Sequence, residues 1–308
     1  MSMVMQIALL ILGFAMLVKG ADWFVEGTAG IAGKFGIPQL VIGLTIVAMG
    51  TSAPETAVSI TAALKGSAEI SIGNVVGSNL LNVLIILGIT AVITPLAVAK
   101  STVKYEIPFM ILISFLFFGL CVTGNEIVLW EGIVLWVAFI AYLAYLLIMA
   151  KRNKEEVDEE EQLPLWKLIL LTVVGLVLIF FGSDFTVDAA TKIATILGMS
   201  ERFIGLTIVA LGTSLPELVT SVSAAIKGKA DIAIGNIVGS NIFNLLFVIG
   251  TSALITPVVF NPSFAFDMWA MIISGVALWV FAFRKYKLAR WSGAVMLVMY
   301  AAYFVYLI

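Results

Sequence analysis

Two stretches of this sequence put a proline and a carboxylate into strongly apolar surroundings. They read "AMGTSAPETAVS" at residues 48–59 and "ALGTSLPELVTS" at residues 210–221. In a helix, Pro54 has no N–H to offer, so the carbonyl of Gly50 loses its partner. Neighbouring carbonyls near Ala48 are expected to splay at the kink. Thr51, Ser52 and Glu55 lie three and four residues apart, on one helical face. Freed carbonyls, two hydroxyls and one carboxylate then form a cluster of oxygens, which Thr213, Ser214, Pro216 and Glu217 repeat. A second motif follows each cluster, "GNVVGSNLLN" at 73–82 and "GNIVGSNIFN" at 235–244. Asn74, Ser78 and Asn82 are spaced by four and make one polar stripe, repeated by Asn236, Ser240 and Asn244. Gly73 with Gly77, and Gly235 with Gly239, are small-residue pairs that permit close helix approach.

Two carboxylates among neutral oxygens suit a hard cation. Calcium accepts six to eight oxygens in irregular geometry, whereas magnesium demands an octahedron and keeps its waters. Histidine is absent and the single cysteine, Cys121, lies outside both motifs, so soft-metal coordination has no ligands to use. Burying Glu55 and Glu217 without partners is costly within a membrane, and a divalent ion or several monovalent ions would offset it. Asn74 and Asn236 read equally well as bridges between helices. Asp22 and Asp184 read as structural, with Lys19 placed to pair with Asp22.

The elements that carry these motifs follow from composition. The 308 residues are 62% hydrophobic and 12% charged, with mean hydropathy +1.14. A soluble domain has about half and about a quarter respectively, so this is an integral membrane protein. The apolar runs suit spanning helices, not alternating barrel strands. A net charge of −2 offers no basic surface for nucleic acid. One cysteine excludes an intrachain disulfide. The start, "MSMVMQIALL", has no positive n-region and reads as a first span, not a cleaved signal. Without histidine, HExxH zinc chemistry and Ser–His dyads are impossible, and no cofactor or enzymatic activity is expected.

Spans are expected at 4–30, 38–64, 70–98, 106–123 and 128–150, and again at 164–197, 203–226, 232–259, 268–283 and 290–308. The two sets of five match at a constant offset of 162 residues, from Asp22 and Asp184 to the "ITP" at 93–95 and 255–257. The chain divides into a first repeat at 1–150, a charged linker at 151–163 and a second repeat at 164–308. The linker's "EEVDEEE" lacks EF-hand spacing and reads as a solvated loop. Five is odd, so the second repeat enters the membrane inverted. With both termini outside, thirteen of the seventeen Lys and Arg residues fall on the cytoplasmic side, as the positive-inside rule asks. The expected class is therefore an all-α membrane protein of ten transmembrane helices in two inverted five-helix repeats, a secondary-transporter design with its site at the midplane.

The paired "GTSAPE" and "GTSLPE", each followed by "GNVVGSN" or "GNIVGSN", resemble the alpha repeats of the sodium/calcium exchanger family of calcium/cation antiporters. The resemblance covers essentially the whole chain. It implies antiport of sodium against calcium across the cytoplasmic (inner) membrane by alternating access, with long first and sixth helices sliding past a fixed core. By motif position, it makes Glu55 and Glu217 the calcium carboxylates. It makes Thr51, Ser52, Ser78, Thr213, Ser214 and Ser240 hydroxyl ligands to sodium or calcium. The carbonyls of Ala48 and Ala210 would bind sodium, with Asn82 and Asn244 at the centre. Potassium-dependent members, and some prokaryotic exchangers, carry an aspartate at the position of Asn244; the centre here has two carboxylates in place of three, and the expectation is exchange without potassium. The alternative within the superfamily is a calcium/proton antiporter, whose branch carries "GNxxE" in place of "GTSxPE". A passive channel lined by the same ligands is the other alternative.

Overall fold

A computed structural model of the chain describes residues 3–153, 163–198 and 210–307. The first half runs α1 (Met3–Phe35), α2 (Gln39–Thr51), α3 (Ala53–Leu64), α4 (Ile70–Ile93), β1 (Leu96–Ala97), α5 (Thr102–Gly124), β2 (Glu126–Ile127) and α6 (Leu129–Arg152). The second half runs α7 (Leu165–Ile196), α8 (Ala210–Thr213), α9 (Leu215–Ile226), α10 (Ala230–Ile255), β3 (Val258–Val259), α11 (Pro262–Phe283), β4 (Lys287–Leu288) and α12 (Arg290–Leu307). Among the described residues, seven helices are long and apolar enough to cross a membrane, and the bent pair α2–α3 makes an eighth. The expected span at 203–226 lies partly outside the described residues. Glycines at matching positions stop helices with positive φ, at Gly36 and Gly198 and at Gly66 and Gly228.

Burial separates the helices into a centre and a shell. The most apolar 18-residue window of α10 is 94% buried and that of α4 is 72%, against 22% for α1 and α7. The polar stripes on α4 and α10 therefore meet at the middle of the protein, while shell helices turn exposed residues such as Ile11, Leu112, Val137 and Val173 outward to lipid. The proline break produces the expected bend. Ser52 leaves helical geometry, Ala53 and Pro54 open a new first turn, and α2 and α3 diverge by 50°. Widened, π-helical turns at Leu81–Ile86 and Asn244–Val248 interrupt α4 and α10 at Asn82 and Asn244. Such turns shift the register of side chains and recur at functional sites.

The long helices α1 and α7 run antiparallel along glycines spaced by seven. A Cβ on Gly20 would stand 2.8 Å from the carbonyl oxygen of Gly175, and one on Gly182 would stand 2.8 Å from the amide nitrogen of Leu17. Only hydrogen lets these backbones approach so closely. Two short antiparallel ladders, unforeseen from sequence, clasp the remaining helices. Leu96 pairs with Leu288, and Glu126 with Val259.

Candidate ion-binding site

Each proline break delivers its glutamate to the centre through the first turn of a new helix. Glu55 and Glu217 are both 1% exposed. The asparagine of each "GN" motif fixes the broken segment to its neighbour. Asn74 on α4 donates to the backbone carbonyl of Glu55 (3.0 Å) and to Ser59 Oγ (2.9 Å). Asn236 on α10 donates to the carbonyl of Glu217 (3.4 Å) and to Ser221 Oγ (2.9 Å). These two asparagines bridge helices and position the acids.

The hydroxyls cross between the halves. Ser52 Oγ donates to Glu217 Oε1 at 2.8 Å, and Ser214 Oγ donates to Glu55 Oε1 at 3.3 Å. Ser78 Oγ also reaches Glu55 Oε1, at 3.4 Å. Ser240 Oγ donates to the carbonyl of Ala48 at 3.3 Å, and Thr51 Oγ1 stands 3.3 Å from the same oxygen. One carboxylate oxygen of each acid is thereby engaged. The other, Oε2 of Glu55 and of Glu217, is buried with no hydrogen-bond partner among the described residues.

A four-asparagine hub sits beside the acids. Asn79 Nδ2 donates to the backbone carbonyl of Asn241, and Asn241 Nδ2 to that of Asn79, each at 3.2 Å. Their side-chain oxygens are used as well. Asn82 Nδ2 donates to Asn241 Oδ1 (2.9 Å) and Asn244 Nδ2 to Asn79 Oδ1 (3.1 Å). Committing both amide nitrogens to the hub orients the amide oxygens, and Oδ1 of Asn82 and of Asn244 are buried and unpartnered. A buried acceptor left open costs about 1–3 kcal/mol. Four such oxygens, duplicated across the two halves, stand together as hard acceptors without donors among the described residues. No cluster of three or more His, Cys, Asp or Glu occurs among the described residues, so the acids here are two.

The two halves match in sequence but not in state. Thr51 is fully buried and donates to Asn236 Oδ1 at 3.0 Å. Its counterpart Thr213 makes no side-chain hydrogen bond among the described residues. It lines a cavity of about 500 Å3 with Pro54, Val58, Asp184 and Val187. At the matching place in the other half, Asp22 on α1 is held against α9. Ser223 Oγ donates to Asp22 Oδ1 (2.8 Å), and Lys227 Nζ stands 3.3 Å from the same oxygen and 2.8 Å from the Asp22 carbonyl. Asp184 has no ion pair among the described residues, and its matching residues Thr61 and Lys65 are exposed.

Several expectations need correction. Asp22 takes Lys227, on the neighbouring segment after α9, and not Lys19 of its own helix. Lys19 stacks on Trp23 instead, 5.6 Å from the ring centre. The carbonyl of Ala48 is not splayed open, since it also accepts the N–H of Ser52 at 3.0 Å. The bend falls one turn later than the kink argument placed it. Gly235 and Gly239 do allow close approach, a Cβ on Gly239 falling 2.8 Å from Ala48 Cβ, but Gly77 faces nothing within 4 Å. The partner that Gly73 and Gly77 would have by symmetry falls at 202–209, outside the described residues. Ala210 opens α8. Cys121 is wholly buried. Asn79 and Asn241 were missed, although each stands next to a stripe serine in "GSN".

Comparison with known proteins identifies the family. The family model described as "Sodium/calcium exchanger protein" matches residues 5–148 and 167–308. The sodium/calcium exchanger MaX1 of Methanosarcina acetivorans is 33% identical, with 97% of each sequence covered. The inner membrane protein YrbG of Escherichia coli is 35% identical over 92% of this chain and 90% of that one. Among solved structures, the sodium-calcium exchanger NCX_Mj soaked with sodium and strontium superposes with a TM-score of 0.86 at 32% identity, covering 99% of both chains. A membrane-spanning helical fold, a doubled cluster of buried oxygens and a family match along both halves converge, and the chain belongs to the sodium/calcium exchanger family.

Proposed function

We propose that this chain is a secondary antiporter that exchanges sodium for calcium across the cytoplasmic membrane by alternating access. The observation that carries the reading is the set of four buried, unpartnered oxygens: Oε2 of Glu55 and Glu217 and Oδ1 of Asn82 and Asn244. Calcium is served by both carboxylates together with Ser52, Ser78, Ser214 and Ser240, whose hydroxyls turn their lone pairs inward when the ion arrives. Sodium uses the neutral oxygens: the Ala48 carbonyl with Thr51 and Ser240, and by symmetry the Ala210 carbonyl with Thr213 and Ser78. Two carboxylates balance one dication, so potassium has no charge to neutralise. Asn244 contributes an oxygen without a third negative charge.

The architecture read for this activity is ten spans in two inverted repeats, 1–150 and 164–308, joined by a cytoplasmic linker at 151–163, with both termini outside. The ladders support this reading. The loops joined by β1 and β4 are both cytoplasmic in that topology, and those joined by β2 and β3 are both external. In that topology the Asp22–Lys227 pair lies on the cytoplasmic side and serves as a closed gate, while the cavity at Asp184 and Thr213 lies on the outer side. Sliding of α1 with α7 along their glycines exchanges the two situations, and Asp184 then meets Thr61 and Lys65.

The deciding experiment is calcium-45 uptake into proteoliposomes preloaded in turn with sodium, potassium or protons. Uptake is expected only against sodium, with no added effect of potassium, and E55Q and E217Q are each expected at background while remaining folded. Calcium uptake driven by a pH gradient in the absence of sodium would indicate the proton antiporter. Flux indifferent to every counter-ion would indicate a channel.

A further inference from the structure

A further buried carboxylate lies outside the ion site. Glu106, near the start of α5, is 1% exposed, and its Oε1 accepts the hydroxyl of Tyr145 on α6. Its Oε2 is buried with no partner among the described residues, as is the hydroxyl of Tyr142, itself 4% exposed. Both residues line a cavity of about 570 Å3 between α5 and α6, with Lys104, Phe109 and Leu112. Leu112 is 62% exposed, so the mouth faces lipid, and Lys104 stands exposed at the rim over the ring of Tyr105. At the 162-residue offset, Glu106, Tyr142 and Tyr145 become Met268, Phe304 and Leu307. The cluster is therefore not part of the duplicated ion machinery.

We propose that this cavity binds the headgroup of a zwitterionic phospholipid bearing a primary ammonium, as in phosphatidylethanolamine. The charge order matches: Lys104 at the rim meets the phosphate, and Glu106 at the floor meets the ammonium. A primary ammonium brings three N–H donors, and Glu106 Oε2 and the Tyr142 hydroxyl are two acceptors without a donor. A fully methylated ammonium has no N–H and leaves both unsatisfied. The apolar walls, Phe109 stacked on Tyr142 at 5.5 Å and Leu112 at the mouth, receive the beginning of the acyl chains. A clamp between α5 and α6 needs only the Glu106–Tyr145 bond, and explains neither the second open oxygen nor the cavity beside it.

The test is native mass spectrometry of the purified full-length protein titrated with palmitoyl-oleoyl phosphatidylethanolamine, its mono- and dimethyl derivatives, phosphatidylcholine and phosphatidylglycerol. Wild type should retain the ethanolamine lipid about tenfold over phosphatidylcholine, the worth of one charge-assisted hydrogen bond, with retention falling at each methylation. E106Q and Y142F should lose that preference. Leu112→Trp, which fills the lipid-facing mouth without touching the polar floor, should lose it too and covers the case in which the polar variants misfold. Equal retention of all lipids by wild type, strongest retention of phosphatidylglycerol, or a preference that survives in the folded variants would each overturn the proposal.

Discussion

Replacing Asn241 with alanine removes no proposed ion ligand, yet it should disturb the site as deeply as a ligand change. The side chain's Oδ1 accepts from Asn82 Nδ2 and its Nδ2 donates to the carbonyl of Asn79, with Asn79 and Asn82 each 1% exposed. The variant leaves one buried donor and one buried acceptor open. At about 1–3 kcal/mol each, the loss is about 2–6 kcal/mol, less where water enters the gap. Asn82 also becomes free to rotate its Oδ1 away from the centre, so calcium affinity should fall along with stability. The assay is a double-mutant cycle over N241A, N82A and the pair, read by unfolding of the detergent-solubilised protein through its seven tryptophans. Once Asn82 is gone, its orphaned donor no longer contributes to the cost of N241A, so a coupling of about 1–3 kcal/mol is expected. Additivity within about 0.5 kcal/mol would refute the hub.

Breaking the ion pair with Asp22→Asn or Lys227→Met should destabilise the conformation in which the cavity at Thr213 is open. Labelling of a cysteine placed at Thr213 should slow several-fold in those variants, and unchanged labelling would count against the pair as a gate. The substitution Asn244→Asp adds a third carboxylate to a buried pair. Like charges oppose joint ionisation, so exchange should become sensitive to potassium or protons, as measured by uptake across a series of both ions. Cysteines at Asn153 and Lys154 should react with an impermeant thiol reagent only from the cytoplasmic side, and labelling in intact cells would invert the topology. Cys121, fully buried, should stay silent in the native protein and provides the background.

The duplicated motifs made much of the site legible before any coordinates. A proline with a glutamate inside an apolar run has few uses, and finding it twice at a constant offset pointed to a break in the helix, though a turn before Ser52, and to the acids and serines that the structure brings together. Periodicity assigns faces within one helix, however, and says nothing about what another helix brings to that face. Asn79 and Asn241 lie one residue off the stripe of Ser78 and Ser240, so a four-residue spacing points them elsewhere. Their partner is each other, across 162 residues. The widened turns at Asn82 and Asn244 escaped for a related reason. No residue type marks a π-helical turn. The partner of Asp22 was misread because a neighbour on the same helix is visible in sequence, and Lys227 is not.

The bonds that cross between the halves also impose a timetable on biosynthesis. Ser52 and its acceptor Glu217 are 165 residues apart, and the ladder from Leu96 waits for Leu288. At about 5–20 residues per second, the first half rests in the bilayer for about 10–30 s with Glu55, Asn79 and Asn82 lacking the groups that will satisfy them. In that interval these residues form a polar seam facing lipid or the insertion machinery. The nascent protein is therefore most exposed to misassembly and proteolysis just after α6 emerges. A mutation that leaves the finished exchanger intact but weakens that waiting half would show itself as low yield, with normal activity in every molecule that survives.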